Sequence, residues 1–245
     1  LGLSMLTDPY QRRINYLRIS MTDRCNLRCR YCMPEEGIPL ITHGEVLSYE
    51  EVLRVIRVFS EEGITKVRIT GGEPLVRKGI IDFISKLSRI EKIEDLSLTP
   101  NGVLLKDMAW DLKQGGLKRV NISLDSLRRD RFRQITRRDD FERVWAGIEE
   151  AIRLELFPIK INMVAIRGVN DDEIESFARL TLHLPVTVRY IEYMPSGNGD
   201  AWKEADLITI PQIQDLLEGL GPLIPIPVDQ WDGPARRCRI NGSLG

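Results

Sequence analysis

Three of the four cysteines fall within eight positions of "DRCNLRCRYCMPEEG" (23–37): Cys25, Cys29 and Cys32. Clustered thiolates bind soft metals. Three is an awkward number for the commoner uses. Disulfides need pairs, and a structural zinc site takes four ligands, usually in C-x-x-C knuckles or Cys/His sets. His43 and His183 stand at no such spacing to the triplet, and a zinc site would have to recruit the distant Cys238 as a fourth ligand. Iron–sulfur chemistry suits the triplet better, because three cysteines on a cubane cluster leave one iron open to another molecule.

The surrounding chain is ordinary in bulk. It has 245 residues, 42% of them hydrophobic, and a net charge of −1. That length suits one large α/β domain or two small ones. A near-neutral chain is not a nucleic-acid or anionic-membrane binder by bulk electrostatics. No apolar run approaches a membrane helix, and "LGLSMLTDPYQRR" at the N-terminus is too short and polar for a signal peptide. A cytoplasmic, reducing setting is therefore expected, in which clustered cysteines serve metals or catalysis rather than disulfides.

The elements that must position the triplet alternate in type. β-rich runs occur at 16–20, 66–70, 95–99, 119–125, 160–166 and 186–193, with a helical stretch starting at Ser48 and others near 79–89, 104–114, 140–155, 172–183 and 210–219. Ser48 and Glu51 form a capping box ahead of Val52, Val55, Ile56 and Phe59 at helical spacing. Gly63, Gly115 and Gly219 sit where helices should stop, and Asp171 or Asp172 is placed to cap the fifth helix. Such β-then-α units imply a parallel sheet with right-handed crossovers. The cysteine triplet follows the first strand at its C-terminal end, where β/α-barrel sites lie.

Strand parity sharpens the fold. Parallel strands covered on both faces read as continuous apolar runs, but these alternate. Leu17 and Ile19 alternate with Arg18 and Ser20; Val67 and Ile69 with Arg68 and Thr70; Leu96 and Leu98 with Ser97 and Thr99. The later strands do the same, with Asn121, Ser123, Asp125, Lys160, Asn162, Thr187 and Arg189 on the polar parity. The apolar face meets the helices, so the polar face lines the inside of a curved sheet. A closed eight-stranded barrel fills its interior with apolar side chains; a polar interior indicates an open, ligand-filled, partial (β/α)6 TIM-like barrel. Arg18, Arg68, Lys160 and Arg189 then point inward with Asp125 as the counted carboxylate. Buried cations need partners, and a ligand with several negative charges, such as a nucleoside triphosphate, would supply them.

C-x-x-x-C-x-x-C with Tyr31 before its last cysteine, together with "TGGEPL" (70–75), resembles the radical S-adenosylmethionine enzymes. "LRISMTDRCNLRCRYCMPEEG", "KVRITGGEPLVR", "NISLDSL" and "VRYIEYMPSGNGD" narrow the resemblance to the GTP 3′,8-cyclases of molybdenum cofactor biosynthesis, over about Asp8 to Gly242. The resemblance implies a lyase that binds a [4Fe–4S] cluster through Cys25, Cys29 and Cys32. It implies S-adenosylmethionine contacts from Tyr31, Gly72, Ser123 and Met194. It implies GTP contacts from Arg18, Arg68, Thr99 and Lys160, with Arg189 helping the triphosphate. Met194 has the opposite parity to Arg189 but lies past the strand. No residue receives a catalytic role. An electron donor for cluster reduction is implied, and a homodimer is one assembly the resemblance allows.

The family holds a second iron–sulfur cluster, and a glycine pair that serves catalysis, in a C-terminal tail. The expectation is therefore a barrel over 1–220 and the start of a truncated, loop-like extension over 221–245. Cys238 has no C-x-x-C context and reads as an ordinary thiol. Two other readings stay open: a radical S-adenosylmethionine enzyme with a different anionic substrate, and a non-catalytic cluster or nucleotide-binding module. Blander readings attach to the rest. Arg128, Arg129, Arg131, Arg133, Arg137 and Arg138 read as a solvated helix face, the four tryptophans as packing, and both histidines as structural or exposed. Glu73 either orients the glycine loop or caps a turn.

Overall fold

The strand alternation read from the sequence becomes one sheet. The structure, a computed structural model, describes residues 6–42, 44–194, 203–227 and 235–245. Strands β1 (Tyr16–Ser20), β2 (Lys66–Thr70), β3 (Asp95–Leu98), β4 (Arg119–Ser123), β5 (Ile159–Ala165) and β6 (Val186–Glu192) pair in that order, every neighbour parallel. β1 and β6 do not pair, so the barrel is open. Between the strands lie α1 (Tyr49–Glu61), α2 (Ile80–Leu87), α3 (Leu105–Gln114), α4 (Arg129–Thr136), α5 (Phe141–Arg153) and α6 (Ile174–His183), with α7 (Ile210–Leu217) after β6.

Register keeps the two parities apart across the whole sheet. On one face Val67, Ile69, Leu98, Val120, Ile122, Ile159, Ile161 and Met163 are fully buried against helix residues such as Ile56, Phe83, Ile84, Leu105, Ile148 and Phe177. The other face carries the polar residues. A one-residue slip would exchange the faces, and the helices then have no apolar surface to cover, so the register is strongly specified.

Local signals hold with shifts. Ser48 Oγ accepts from Glu51 N while Glu51 Oε2 accepts from Ser48 N, which completes the capping box of α1. Its core face, however, is Val52, Leu53, Ile56 and Ser60; Val55 and Phe59 are exposed. Gly63 ends α1 as expected, with φ 98°. After α3 the left-handed residue is Gly116 rather than Gly115, and after the turn following α7 it is Gly221 rather than Gly219. Neither Asp171 nor Asp172 caps α6, which begins after a 3-10 turn without a side-chain cap. The tail is not wholly loop. β7 (Ile224–Ile226) and β8 (Arg237–Arg239) pair antiparallel, Ile240 is buried, and Leu244 N donates to Thr181 O at 2.7 Å.

Candidate active site

The cysteine loop leaves the C-terminal end of β1 and folds onto two neighbours. Cys32 N and Met33 N both donate to Cys29 O, which turns the chain between the second and third thiols. Leu27 N donates to Cys25 Sγ at 3.4 Å, and Asn101 Nδ2 donates to the same sulfur at 3.8 Å. The C-terminal end of α4 clamps the loop from outside. Arg28 N and Arg30 N donate to Thr136 O and Ile135 O, and Arg137 Nη1 donates to Arg28 O and Met33 O, both at 3.0 Å. Arg137 is therefore no simple member of a solvated face; its left-handed backbone (φ 55°) turns its side chain onto the cysteine loop.

The glycine segment after β2 closes on the same loop. Gly72 N donates to Thr22 O and Glu73 N to Arg24 O, each at 2.7 Å. A Cβ at Gly72 would stand 2.4 Å from Arg24 O, so only glycine lets the two backbones meet. Glu73 does both things the sequence left open. It is fully buried, its Oε1 accepts from Leu75 N at 2.9 Å to cap a 3-10 turn, and its Oε2 accepts from Asn101 N at 2.5 Å. Asn101 in turn holds Asn26 and Cys25, so Glu73 links the glycine segment to the first thiol. Burial pushes its carboxyl up to about 7 against the pull of those two N–H groups.

Burial raises the thiols of Cys25, Cys29 and Cys32, Cys29 most strongly; the Asp125 carboxylate adds to it at Cys29 and Cys32 and Glu73 at Cys25, and repulsion from the neighbouring thiolates adds less at Cys25 and Cys29. Tyr31 Oη donates to Asp125 Oδ2 at 2.6 Å, and Asp125 Oδ1 accepts from Val164 N at 2.9 Å. This ties the cysteine loop to the ends of β4 and β5. Tyr31 also meets Tyr193 edge-on, ring centroids 6.4 Å apart, so the residue before Met194 touches the loop; Met194 itself is exposed, past the end of β6.

Below the loop, register sorts the polar residues into rows. Arg18, Arg68, Ser97 and Arg119 are consecutive partners across β1–β4. Asn121, Lys160 and Thr187 form the next row on β4–β6, and Ser123, Asn162 and Arg189 the one above it. Arg68 lies 5.3 Å from the Tyr16 ring centroid, and its guanidinium is lowered by burial and by Arg119, Arg189 and Arg18 nearby. The structure thus gathers Arg18, Arg68, Lys160 and Arg189 on one face, with Thr99 at the end of β3.

The family model for the Radical SAM superfamily matches residues 19–181. A "GTP 3',8-cyclase" of Desulforamulus reducens is 54% identical over 241 residues, covering 98% of this chain and 74% of the relative. The "GTP 3',8-cyclase" of Alkaliphilus metalliredigens is 50% identical over 240 residues, with the same two coverages. The chain belongs to the GTP 3′,8-cyclase family of radical SAM proteins. Solved structures agree on the fold. TYW1 with a lysine-pyruvate adduct bound superposes with a TM-score of 0.63 at 16% identity, covering 88% of this chain and 77% of that one. Methylornithine synthase (PylB) gives 0.62 at 14%, covering 83% and 61%.

The site fits the cluster that this family implies. Among the described residues no three His, Cys, Asp or Glu side chains converge on a single metal ion. The donor set, three thiols on one loop turned at Cys29 O, is the one a cubane cluster with an open iron takes. Their repulsion is the kind that bound iron relieves, since metal binding displaces the thiol protons.

Sequence reasoning missed three lumen residues. Lys66, Asp95 and Arg119 share the inward parity, and parity from the first residue of each strand would have found them. Asp95 and Arg119 form a buried bidentate pair, Nε to Oδ1 at 2.8 Å and Nη2 to Oδ2 at 2.5 Å. Asp125 is therefore not the sole inward carboxylate. His183 is exposed at the end of α6, Trp110 is exposed, and Trp145 stacks on Phe141; His43, Trp202 and Trp231 lie outside the described residues.

Proposed function

We propose that this chain cyclises GTP to (8S)-3′,8-cyclo-7,8-dihydroguanosine 5′-triphosphate, a step of molybdenum cofactor biosynthesis. The observation that carries this reading is the register that lines Arg18, Arg68, Lys160 and Arg189 on one sheet face below the cysteine loop. A cationic face of this kind suits a triphosphate, and the curated relatives bear the name of that activity.

Cys25, Cys29 and Cys32 would hold a [4Fe–4S] cluster, and Tyr31, Gly72, Ser123 and Met194 would contact S-adenosylmethionine. When bound, the two supply a 5′-deoxyadenosyl radical that removes a hydrogen atom from substrate. The chain's own residues bind and orient. Arg18, Arg68 and Arg189 offer bidentate forks to phosphate oxygens, Lys160 offers a point charge, and Thr99 offers a hydroxyl. The Tyr31–Asp125 bond and the Gly72–Arg24 contact hold the cofactor end in place. An electron donor would supply the reducing electron. Cys238, exposed on β8, is not counted among the ligands of the family's second cluster. We assign 1–220 to the barrel and 221–245 to a C-terminal extension. No helix among the described residues is long and apolar enough to cross a membrane, in keeping with a cytoplasmic site of action.

Anaerobic reconstitution tests the reading. About four irons and four sulfides per triplet, 5′-deoxyadenosine from S-adenosylmethionine, and a cyclised product from GTP in the full-length protein are the expected results. Failure to take up iron overturns every radical reading. Deoxyadenosine without a GTP product points to a different anionic substrate.

A further inference from the structure

The cations and Thr99 account for the charged part of a nucleotide and one hydroxyl contact, yet the most isolated polar group on the lumen face is uncharged. Asn121 is completely buried, and neither Oδ1 nor Nδ2 of its amide has a hydrogen-bond partner. It lies mid-strand in β4, between Val120 and Ile122, which point to the helices. Its register partner on β5 is Lys160. On the other side Ser97 pairs with Arg119, so the same count puts Thr99 beside Asn121. Thr99 Oγ1 is also buried and unpartnered, as is Oδ1 of Asn162 one row above.

A buried amide without partners is costly, and natural folds rarely keep one without a use. Leucine or valine at position 121 would remove that cost with little change of volume. Asparagine offers a donor and an acceptor about one hydroxyl width apart and no charge. It suits a ribose hydroxyl or the donor–acceptor edge of a base, and it is poorly suited to phosphate, which the guanidinium groups take better.

We propose that Asn121 is a further substrate-binding residue, whose amide hydrogen-bonds the uncharged nucleoside part of the substrate. This rests on the reading of the lumen as a GTP site. Thr99 and Lys160 flank the contact from the neighbouring strands β3 and β5.

The test is GTP binding by the full-length, cluster-loaded protein, measured by equilibrium dialysis for wild type, Asn121→Leu and Asn121→Ala. Both variants should bind GTP about 10- to 100-fold more weakly, with iron content unchanged. Asn121→Leu should also melt at or above the wild-type temperature without nucleotide, because it removes an unsatisfied buried amide; a merely structural asparagine would give the opposite shift. Two analogues locate the contact. If the amide reads the ribose 2′-hydroxyl, wild type prefers GTP to 2′-deoxy-GTP and Asn121→Leu does not; if it reads the base edge, the preference over ATP is the one that disappears. Unchanged GTP affinity in both variants, or weakening matched by a lower melting temperature in Asn121→Leu, overturns the assignment. Absence of GTP binding by wild type overturns the parent reading, and this one with it.

Discussion

Gly72 and Arg24 meet backbone to backbone: the space for a Cβ on Gly72 lies 2.4 Å from the Arg24 carbonyl oxygen, and the next residue, Glu73, donates its N–H to that same oxygen at 2.7 Å. The glycine segment and the cysteine loop, some fifty residues apart in the chain, thus form one unit. Gly72→Ala forces those backbones apart, and the obstacle is main chain that cannot swing away. The expected outcome is a loss of about 1–3 kcal/mol in chemical denaturation and reduced iron retention. Wild-type iron content and stability in this variant would show that the contact is dispensable.

Glu73 makes stability depend on pH. Its folded carboxyl is raised from 4.5 to about 7, chiefly by burial. The folded protein therefore holds this proton more tightly than the unfolded chain, so the contribution is most favourable below pH 4.5 and is lost as pH rises to about 7. The loss is on the order of 3 kcal/mol. Urea titrations of the metal-free protein across that range should show wild type losing stability relative to Glu73→Gln as pH increases; parallel curves would refute a buried, titrating Glu73.

The proposed function puts Arg68 on the substrate side. Its Nε is buried without a partner, and it touches the Tyr16 ring rather than the cysteine loop. Arg68→Ala should weaken GTP binding by about 1.5–3 kcal/mol, the value of a charge-assisted hydrogen bond, and leave iron and sulfide at wild-type levels. Cluster loss in this variant would place Arg68 elsewhere.

The Asp95–Arg119 pair is almost fully buried, so removing one partner strands the other. Arg119→Met should cost about 3–5 kcal/mol, and Asp95→Asn somewhat less because the amide still accepts one bond. A double variant with two apolar residues should recover much of the loss. Equal destabilisation by the single and double changes would deny the pairing.

Much of the fold was legible because alternation in a strand and periodicity in a helix are local. Arg18, Arg68 and Arg189 could be assigned to one face without coordinates, since parity within a strand is independent of the neighbouring strand. The helix faces were less legible: Val55 and Phe59 fit the spacing on α1, but Leu53 and Ser60 fit it too, and only packing against the sheet chose between them. Arg137 looked like surface charge because nothing in "TRRDD" reveals that its backbone turns left-handed and sends the guanidinium to Met33 O.

By itself the sequence determined the thiol triplet, the polar parity of the strands and the glycine that permits close approach, because each depends on residue type and short spacing. Tertiary structure decided which of these meet. Gly72 against Arg24, Tyr31 on Asp125, Asp95 with Arg119, and Asn121 beside Lys160 all join separate strands or loops, and such contacts follow from register and packing, which no single segment encodes.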